Sequence, residues 1–263
     1  MKKNKSIDYH DKIAERYDTN YTDKKWEIHG AIEWAKADKY LPKKKCRILD
    51  AGGGTGEFSV KFAKKGNYVV LTDLSEGMLK IARRKIKKLN LGDSIRVLKQ
   101  DITQMKDLGS NSFDFVVALG DPVSYCLDES KAIKELARVA KKGAYVLITV
   151  DSYFRQITLL LNSKNYKGLD QLEKTGNTTF LVDFTQHNFQ IDELRTLFER
   201  NHLAVVEIFG LLNFVNKVNP KQLNKILSNK KRFTQFLNLE MKYCNEPSII
   251  GFASHIGIVG RKK

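Results

Sequence analysis

From Arg47 to Asp151 the chain alternates short apolar runs with helical patterns, and this rhythm narrows its possible folds more than any other feature. Arg47-Ile48-Leu49-Asp50-Ala51 reads as a strand ended by glycines. Glu57 to Lys65 reads as a helix, with Phe58, Phe62 and Ala63 on one face and Gly66 as its stop. Tyr68-Val69-Val70-Leu71-Thr72-Asp73 is a second strand, after which Met78, Ala82, Ile86 and Leu89 recur at helical spacing. Ile95 to Gln100 and Phe113 to Leu119 follow as strands, the latter apolar on both faces as in the middle of a covered sheet. A helix with Ile133, Leu136, Ala137 and Ala140 inward leads to a fifth strand, Ala144 to Val150. Strands joined by crossover helices predict a doubly wound α/β fold with a mostly parallel sheet.

After Asp151 the rhythm changes. Residues 152–176 are polar without a clean period and read as an inserted loop or short helix. Thr178 to Gln190 reads as a strand or ribbon, Asp192 to Asn201 as a helix, and Ala204 to Phe209 as a sixth strand. Residues 220–244 form a second insertion, with Leu223, Ile226, Leu227, Phe233, Phe236, Leu237 and Met241 on one helical face. Ala253 to Val259 closes the chain as a strand expected inside the sheet, with both insertions at the strand carboxyl ends.

Composition limits the setting. Hydrophobic residues make up 42% of the 263, too many for global disorder. No apolar run is long enough to span a bilayer, and the polar start predicts no signal peptide. Cys46, Cys126 and Cys244 lie far apart with no nearby His at ligand spacing, so no disulfide framework or zinc site is expected, and a cytoplasmic location is. The net charge of +16 is uneven: 13 basic and 8 acidic residues in 1–47, 23 and 20 in 48–212, 10 and 2 in 213–263. Basic ends of this kind suit an anionic substrate, RNA or a membrane surface, or simply solubility.

Asp50-Ala51-Gly52-Gly53-Gly54-Thr55-Gly56 joins the first strand to the first helix. Glycines there let backbone N–H groups approach a ligand, and the helix N-terminus adds a positive dipole. Asp73 ends the second strand 21 residues after Gly52, the spacing at which a carboxylate accepts both hydroxyls of an adenosine ribose. Asp101 ends the third strand within reach of an adenine amino group. Each acid alone can be a helix cap or turn residue, but acids ending three successive strands point to adenosine recognition.

Ile48-Leu49-Asp50-Ala51-Gly52-Gly53-Gly54-Thr55-Gly56 resembles the first motif of class I S-adenosylmethionine-dependent methyltransferases. Leu71-Thr72-Asp73-Leu74-Ser75-Glu76-Gly77-Met78-Leu79 and Gln100-Asp101-Ile102 follow in that family's order. Tyr9-His10-Asp11-Lys12-Ile13-Ala14-Glu15-Arg16-Tyr17-Asp18 is similar to the opening of the branch containing ubiquinone/menaquinone-biosynthesis and small-molecule methyltransferases. Ser254 to Lys262 resembles the family's final antiparallel strand, which implies a seven-stranded Rossmann-like sheet. The resemblance implies a single domain over 1–263: a helical lid (1–44), a cofactor-binding core (45–151), substrate-side insertions (152–190 and 213–247) and a final strand (248–263). It also implies S-adenosylmethionine as cofactor and S-adenosylhomocysteine as product. Asp50 with the backbone of Ala51 and Gly52 would hold the methionine end, and Gly53 and Gly54 would complete the turn. Asp73 would take the ribose, Leu74 and Met78 would flank the adenine, and Asp101 with Ile102 would bind its edge. Gln100 and Leu119 belong to the same set, and Tyr9 and Tyr17 would close the pocket.

Such chemistry needs no nucleophile or triad, and no catalytic residue or metal ligand is assigned. His187 and His255 are candidate bases for a hydroxyl acceptor, whereas His10, His29 and His202 read as surface or lid residues. Asp121-Pro122-Val123-Ser124-Tyr125 departs from the Asp/Asn-Pro-Pro-aromatic motif of amino-methyltransferases and reads as a shaped substrate loop. The expected acceptor is a small molecule, anionic ones included, held between 152–190 and 213–247. Residues 1–40 are expected to form a mobile lid, with Tyr9 and Tyr17 on one helix face. Two other readings stand beside this one. A nicotinamide-dependent oxidoreductase is partly mimicked by Gly54-Thr55-Gly56-Glu57-Phe58-Ser59, where Ser59 replaces the third glycine. An RNA methyltransferase or RNA-directed protein would use the basic ends.

Overall fold

The structure, a computed structural model, describes residues 5–20, 23–180 and 184–263. Lys5–Ile13 forms α1; a tight turn at Ala14–Arg16 separates it from α2 (Tyr17–Asn20). Asp23 caps α3 (Lys24–Tyr40), its carboxylate accepting from the Lys25 N–H. The predicted rhythm follows as β1 (Arg47–Ala51), α4 (Glu57–Lys64), β2 (Tyr68–Asp73), α5 (Glu76–Lys88), β3 (Ile95–Lys99), β4 (Phe113–Ala118), α6 (Glu129–Val139) and β5 (Ala140–Asp151). Beyond it come α7 (Tyr153–Asn162), α8 (Tyr166–Thr175), β6 (Asn177–Phe180), β7 (Phe184–His187), α9 (Ile191–Arg200) and β8 (Leu203–Leu211). The chain finishes with α10 (Pro220–Ser228), α11 (Lys230–Tyr243), α12 (Pro247–Ile250) and β9 (His255–Lys262).

Seven strands form one sheet in the order β3-β2-β1-β4-β5-β9-β8. Pairs among β1 to β5 are parallel, and β9 runs antiparallel between β5 and β8. Alternate residues face opposite layers, as the strand period requires. Ile48, Val69, Leu71, Phe115 and Val117 join the core under α3, α4, α5, α10 and α11. Leu49, Val70, Val116 and Ala118 join the core under α6 and α9.

Three expectations change. Residues 152–176 are two helices, α7 and α8, each with a single buried leucine (Leu160 and Leu172), so their sequence carries little periodic signal. The 220–244 insertion becomes α10 and α11, whose Leu223, Leu227, Phe233 and Phe236 pack into the main core. Its apolar face packs toward α3, within the same core. Finally, α3 is no part of a loose lid: Ile28, Ile32 and Ala37 are fully buried in that same core. Among the described residues, no helix is long and apolar enough to cross a membrane.

Candidate active site

A cavity of about 760 Å³ opens at the carboxyl ends of the parallel strands, the place where α/β sheets of this winding bind ligands. Each strand delivers its terminal residues there: Gly52, Gly53 and Gly54 after β1, Asp73 from β2, Asp101 after β3, Asp121 after β4 and Asp151 from β5. An antiparallel strand begins where its parallel neighbours end, so β9 contributes its first residue, His255.

The half over β1 to β3 is built around the glycine turn. Gly52 and Gly54 take φ values of +70° and +55°, which side chains resist. A Cβ on Gly54 would meet nothing within 4 Å, so the backbone there presents an open side. One oxygen of Asp73 accepts the Gly54 N–H at 3.0 Å, and the other accepts the Ser75 N–H at 2.8 Å. Burial raises the Asp73 carboxyl, and those N–H bonds hold it back. Asp101 accepts from the Thr103 N–H and hydroxyl at 2.8 and 2.7 Å, which fixes its loop.

Twelve of the fourteen predicted cofactor residues line this cavity: Tyr9, Tyr17, Gly52, Gly53, Gly54, Asp73, Leu74, Met78, Gln100, Asp101, Ile102 and Leu119. Asp50 and Ala51 do not. Asp50 is 1% exposed, and its carboxylate accepts the Ser59 hydroxyl at 2.6 Å beneath the turn. A Cβ on Gly53 would lie 2.7 Å from that carboxylate, so the turn folds directly over it. Burial pushes Asp50 up to about 6. Its place is under the turn, as a strut, because the strand period points residue 50 away from the cavity.

Over this half lie α1 and α2. Asp11 accepts from the Ser75 hydroxyl at 2.6 Å and the Gly77 N–H at 2.8 Å, and Thr55 donates to Asp18 at 2.5 Å. Ile13, Ala14 and Met78 form a small separate cluster, flanked by Tyr9 and Tyr17. The turn at Ala14–Arg16 means that no single helix face presents both tyrosines, although both reach the cavity. Tyr9 also touches Phe180 and Phe184, with ring centroids 5.7 and 5.5 Å apart. Helix α1 and the β6–β7 ribbon therefore meet through aromatic rings.

The half over β4, β5 and β9 has aromatic walls and a polar floor. Tyr125, Phe180, Phe184 and Trp26 line the walls, and His29, Glu33, Asp121, Asp151 and His255 line the floor. His255 Nδ1 lies 2.8 Å from Asp121 Oδ2 and 3.8 Å from Asp151 Oδ1. The His29 and His255 rings meet edge to face at 4.7 Å. His29 Nδ1 is 3.2 Å from Glu33 Oε2, and the other Glu33 oxygen accepts the Gly120 N–H at 2.9 Å and the Thr149 hydroxyl at 2.8 Å. Burial alone would lower His255, but Asp121 and then Asp151 and Glu33 push it up to about 9. Burial raises Asp151 to about 7 with help from Asp121. Asp121 is held below the usual carboxylate range, where His255 overrides burial.

Residues 48–143 match the methyltransferase domain family. Over 209 residues the chain is 26% identical to the ubiquinone/menaquinone biosynthesis C-methyltransferase of Haemophilus ducreyi, covering 76% of this chain and 80% of that protein. Over 263 residues it is 23% identical to the tRNA 5-carboxymethoxyuridine methyltransferase of Escherichia coli, covering 96% of this chain and 95% of the relative. Several other curated relatives are matched over only 56–59% of their own length. A solved SAM-dependent methyltransferase from Methanosarcina mazei shares the fold, with a TM-score of 0.61 at 19% identity over 86% of this chain and 96% of its own. The chain belongs to the class I S-adenosylmethionine-dependent methyltransferases.

The methyltransferase departs from its sequence reading on the acceptor side. Among the described residues, none of 213–247 lines the cavity; the 152–190 stretch contributes Phe180 and Phe184. His187 is turned away, its ring nitrogens 3.0 Å from Asn177 Oδ1 and 2.8 Å from Glu193 Oε1. His255 reaches the floor, and so does His29, which the sequence reading left on the surface. Glu33, Asp121 and Asp151 carried a legible signal: His29 and Glu33 share a helix face at i,i+4, Asp151 ends β5 as Asp73 ends β2, and Asp121 follows β4 as Asp101 follows β3.

Proposed function

We propose that this methyltransferase acts on a small molecule bearing a hydroxyl or amine. Its body would lie against Trp26, Tyr125, Phe180 and Phe184, and its reacting group would meet the floor of His29, Glu33, Asp121, Asp151 and His255. The observation that carries this reading is the joining of that floor to the glycine-turn half within one cavity. Three carboxylates against two imidazoles favour a hydroxyl or amine over a carboxylate acceptor. S-adenosylmethionine supplies an already activated methyl group, so the chain's residues have to bind, align and exclude water. Asp73 is proposed to hold the ribose, Asp101 and Ile102 the adenine edge, Leu74 and Met78 its faces, and Gly52 to Gly54 the methionine end. Tyr9 and Tyr17 close that half, and Asp50 and Ala51 support it from beneath.

A tRNA acceptor is the second reading, favoured by the full-length Escherichia coli relative and by the basic residues of α10 and α11. Against it, Lys61 is the only Lys or Arg lining the cavity among the described residues. Methyl transfer from labelled cofactor into a cell extract split into metabolites, RNA and protein separates the two. Label is expected in metabolites; label mainly in RNA overturns the proposal.

A further inference from the structure

We infer that His29, Asp121 and His255 form a binding site for a divalent first-row transition metal, open toward the acceptor chamber. Each offers one donor atom, and the three donors lie within 4.8 Å of one another. The 2.8 Å between His255 Nδ1 and Asp121 Oδ2 is close to the roughly 3 Å separating adjacent ligands that each stand about 2.1 Å from one ion.

Three atoms of the cluster lack what buried polar atoms need. His29 Nε2, Asp121 Oδ1 and His255 Nδ1 make no well-formed hydrogen bond among the described residues, although His29 is 4% exposed, Asp121 3% and His255 9%. A bound cation would satisfy all three. Behind His29, Glu33 sits 3.2 Å from Nδ1 and is itself fixed by Gly120 and Thr149. This is the carboxylate–histidine arrangement that orients an imidazole and leaves its far nitrogen for a metal. The donors come from a helix, a strand-end turn and the antiparallel strand, 92 and 134 residues apart in sequence, so no spacing motif announces them.

Two imidazoles and a carboxylate suit zinc, cobalt, iron or manganese better than magnesium or calcium, which prefer oxygen ligands throughout. Among the described residues the one competing cluster, Glu129, His187 and Glu193, is already satisfied, since both His187 nitrogens have partners. Three protein ligands leave coordination positions facing the chamber, where a hydroxyl oxygen of the acceptor can bind; this last step alone rests on the function proposed above.

The test is calorimetry on chelator-treated full-length protein with Co²⁺ and Zn²⁺, and Mg²⁺ for comparison. We expect one transition-metal ion bound per chain, more tightly than Mg²⁺. Affinity should fall at least about tenfold in His29→Ala and His255→Ala and stay unchanged in His187→Ala. Should either variant fail to fold, electron paramagnetic resonance of the Cu²⁺-loaded wild type replaces it, with hyperfine structure from two imidazole nitrogens expected. Absence of stoichiometric binding, a spectrum without imidazole nitrogens, or loss confined to His187→Ala overturns the site. Metal binding as expected with label found only in RNA would support the site and remove the small-molecule acceptor.

Discussion

The two halves of the cavity are made in different ways. Over β1 to β3 the polar groups meet partners close by in the fold: Asp73 with Gly54 and Ser75, Asp101 with Thr103, Asp50 with Ser59. Over β4, β5 and β9 the floor gathers side chains from four distant points of the sequence and leaves buried atoms of His29, Asp121, Asp151 and His255 without a well-formed hydrogen bond among the described residues. A half that is internally satisfied suits a ligand that never changes. A half with unpaired, desolvated groups suits a ligand that completes it, because those groups regain on binding what burial cost them.

The contact between Gly52 and Pro122 joins the halves, and breaking it should have the largest effect. A Cβ on Gly52 would lie 2.4 Å from the Pro122 Cβ, at a φ of +70°. Gly52→Ala should therefore cost about 3 kcal/mol of stability and weaken both halves together. A thermal melt matching wild type would mean that the halves are not coupled there. Next in size, His255→Ala should lower turnover about a hundredfold or more while cofactor affinity stays within about twofold. Equal losses in turnover and cofactor binding would erase the distinction between halves. The converse variant, Asp73→Ala, should weaken S-adenosylhomocysteine binding by about one to two decades, equivalent to about 1.5–3 kcal/mol. Calorimetry showing unchanged affinity in a folded protein would remove the ribose assignment.

The smallest effect lies outside both halves and serves as their control. Glu207 on β8 binds Lys36 at 2.7 Å and Lys39 at 2.8 Å, and accepts the Tyr40 hydroxyl. Burial raises its carboxyl, but these three partners together hold it down at about 2 against an ordinary 4.5. A depressed carboxyl stabilises the fold fully above its unfolded value and loses that contribution as pH falls toward the folded one. Glu207→Gln should cost about 1–2 kcal/mol at neutral pH, and the gap to wild type should close as pH drops through that window. Urea midpoints across pH provide the measurement, and a gap independent of pH would show that the ion pairs carry no net weight. Cofactor affinity should not move.

The same contrast explains what could be read from the sequence. The core strands were legible because their apolar residues alternate between two covered faces, and the glycine turn because backbone geometry demands that residue type locally. Asp50 was misplaced by one link: its position in the motif is clear, yet the direction of its side chain depends on strand phase. The amphipathic face of 220–244 was visible, but periodicity does not say what the face covers; here it joins the core that holds Ile28 and Ile32 of α3. Helices α7 and α8 hid because two buried leucines make no pattern. His29 looked superficial since nothing local tells a helix surface from a helix face turned into a chamber.

The position of β9 bears on when the enzyme becomes competent during synthesis. This strand follows all the others in the chain, yet it sits between β5 and β8, and its first residue is His255. A ribosome-bound chain that has released β1 to β5 already holds every strand of the glycine-turn half, whereas the proposed acceptor floor still lacks His255. Domains fold as the chain emerges. Cofactor recognition can thus precede acceptor recognition by the time needed to translate some hundred residues, and a chain interrupted in that interval would bind the methyl donor without the floor that directs its use.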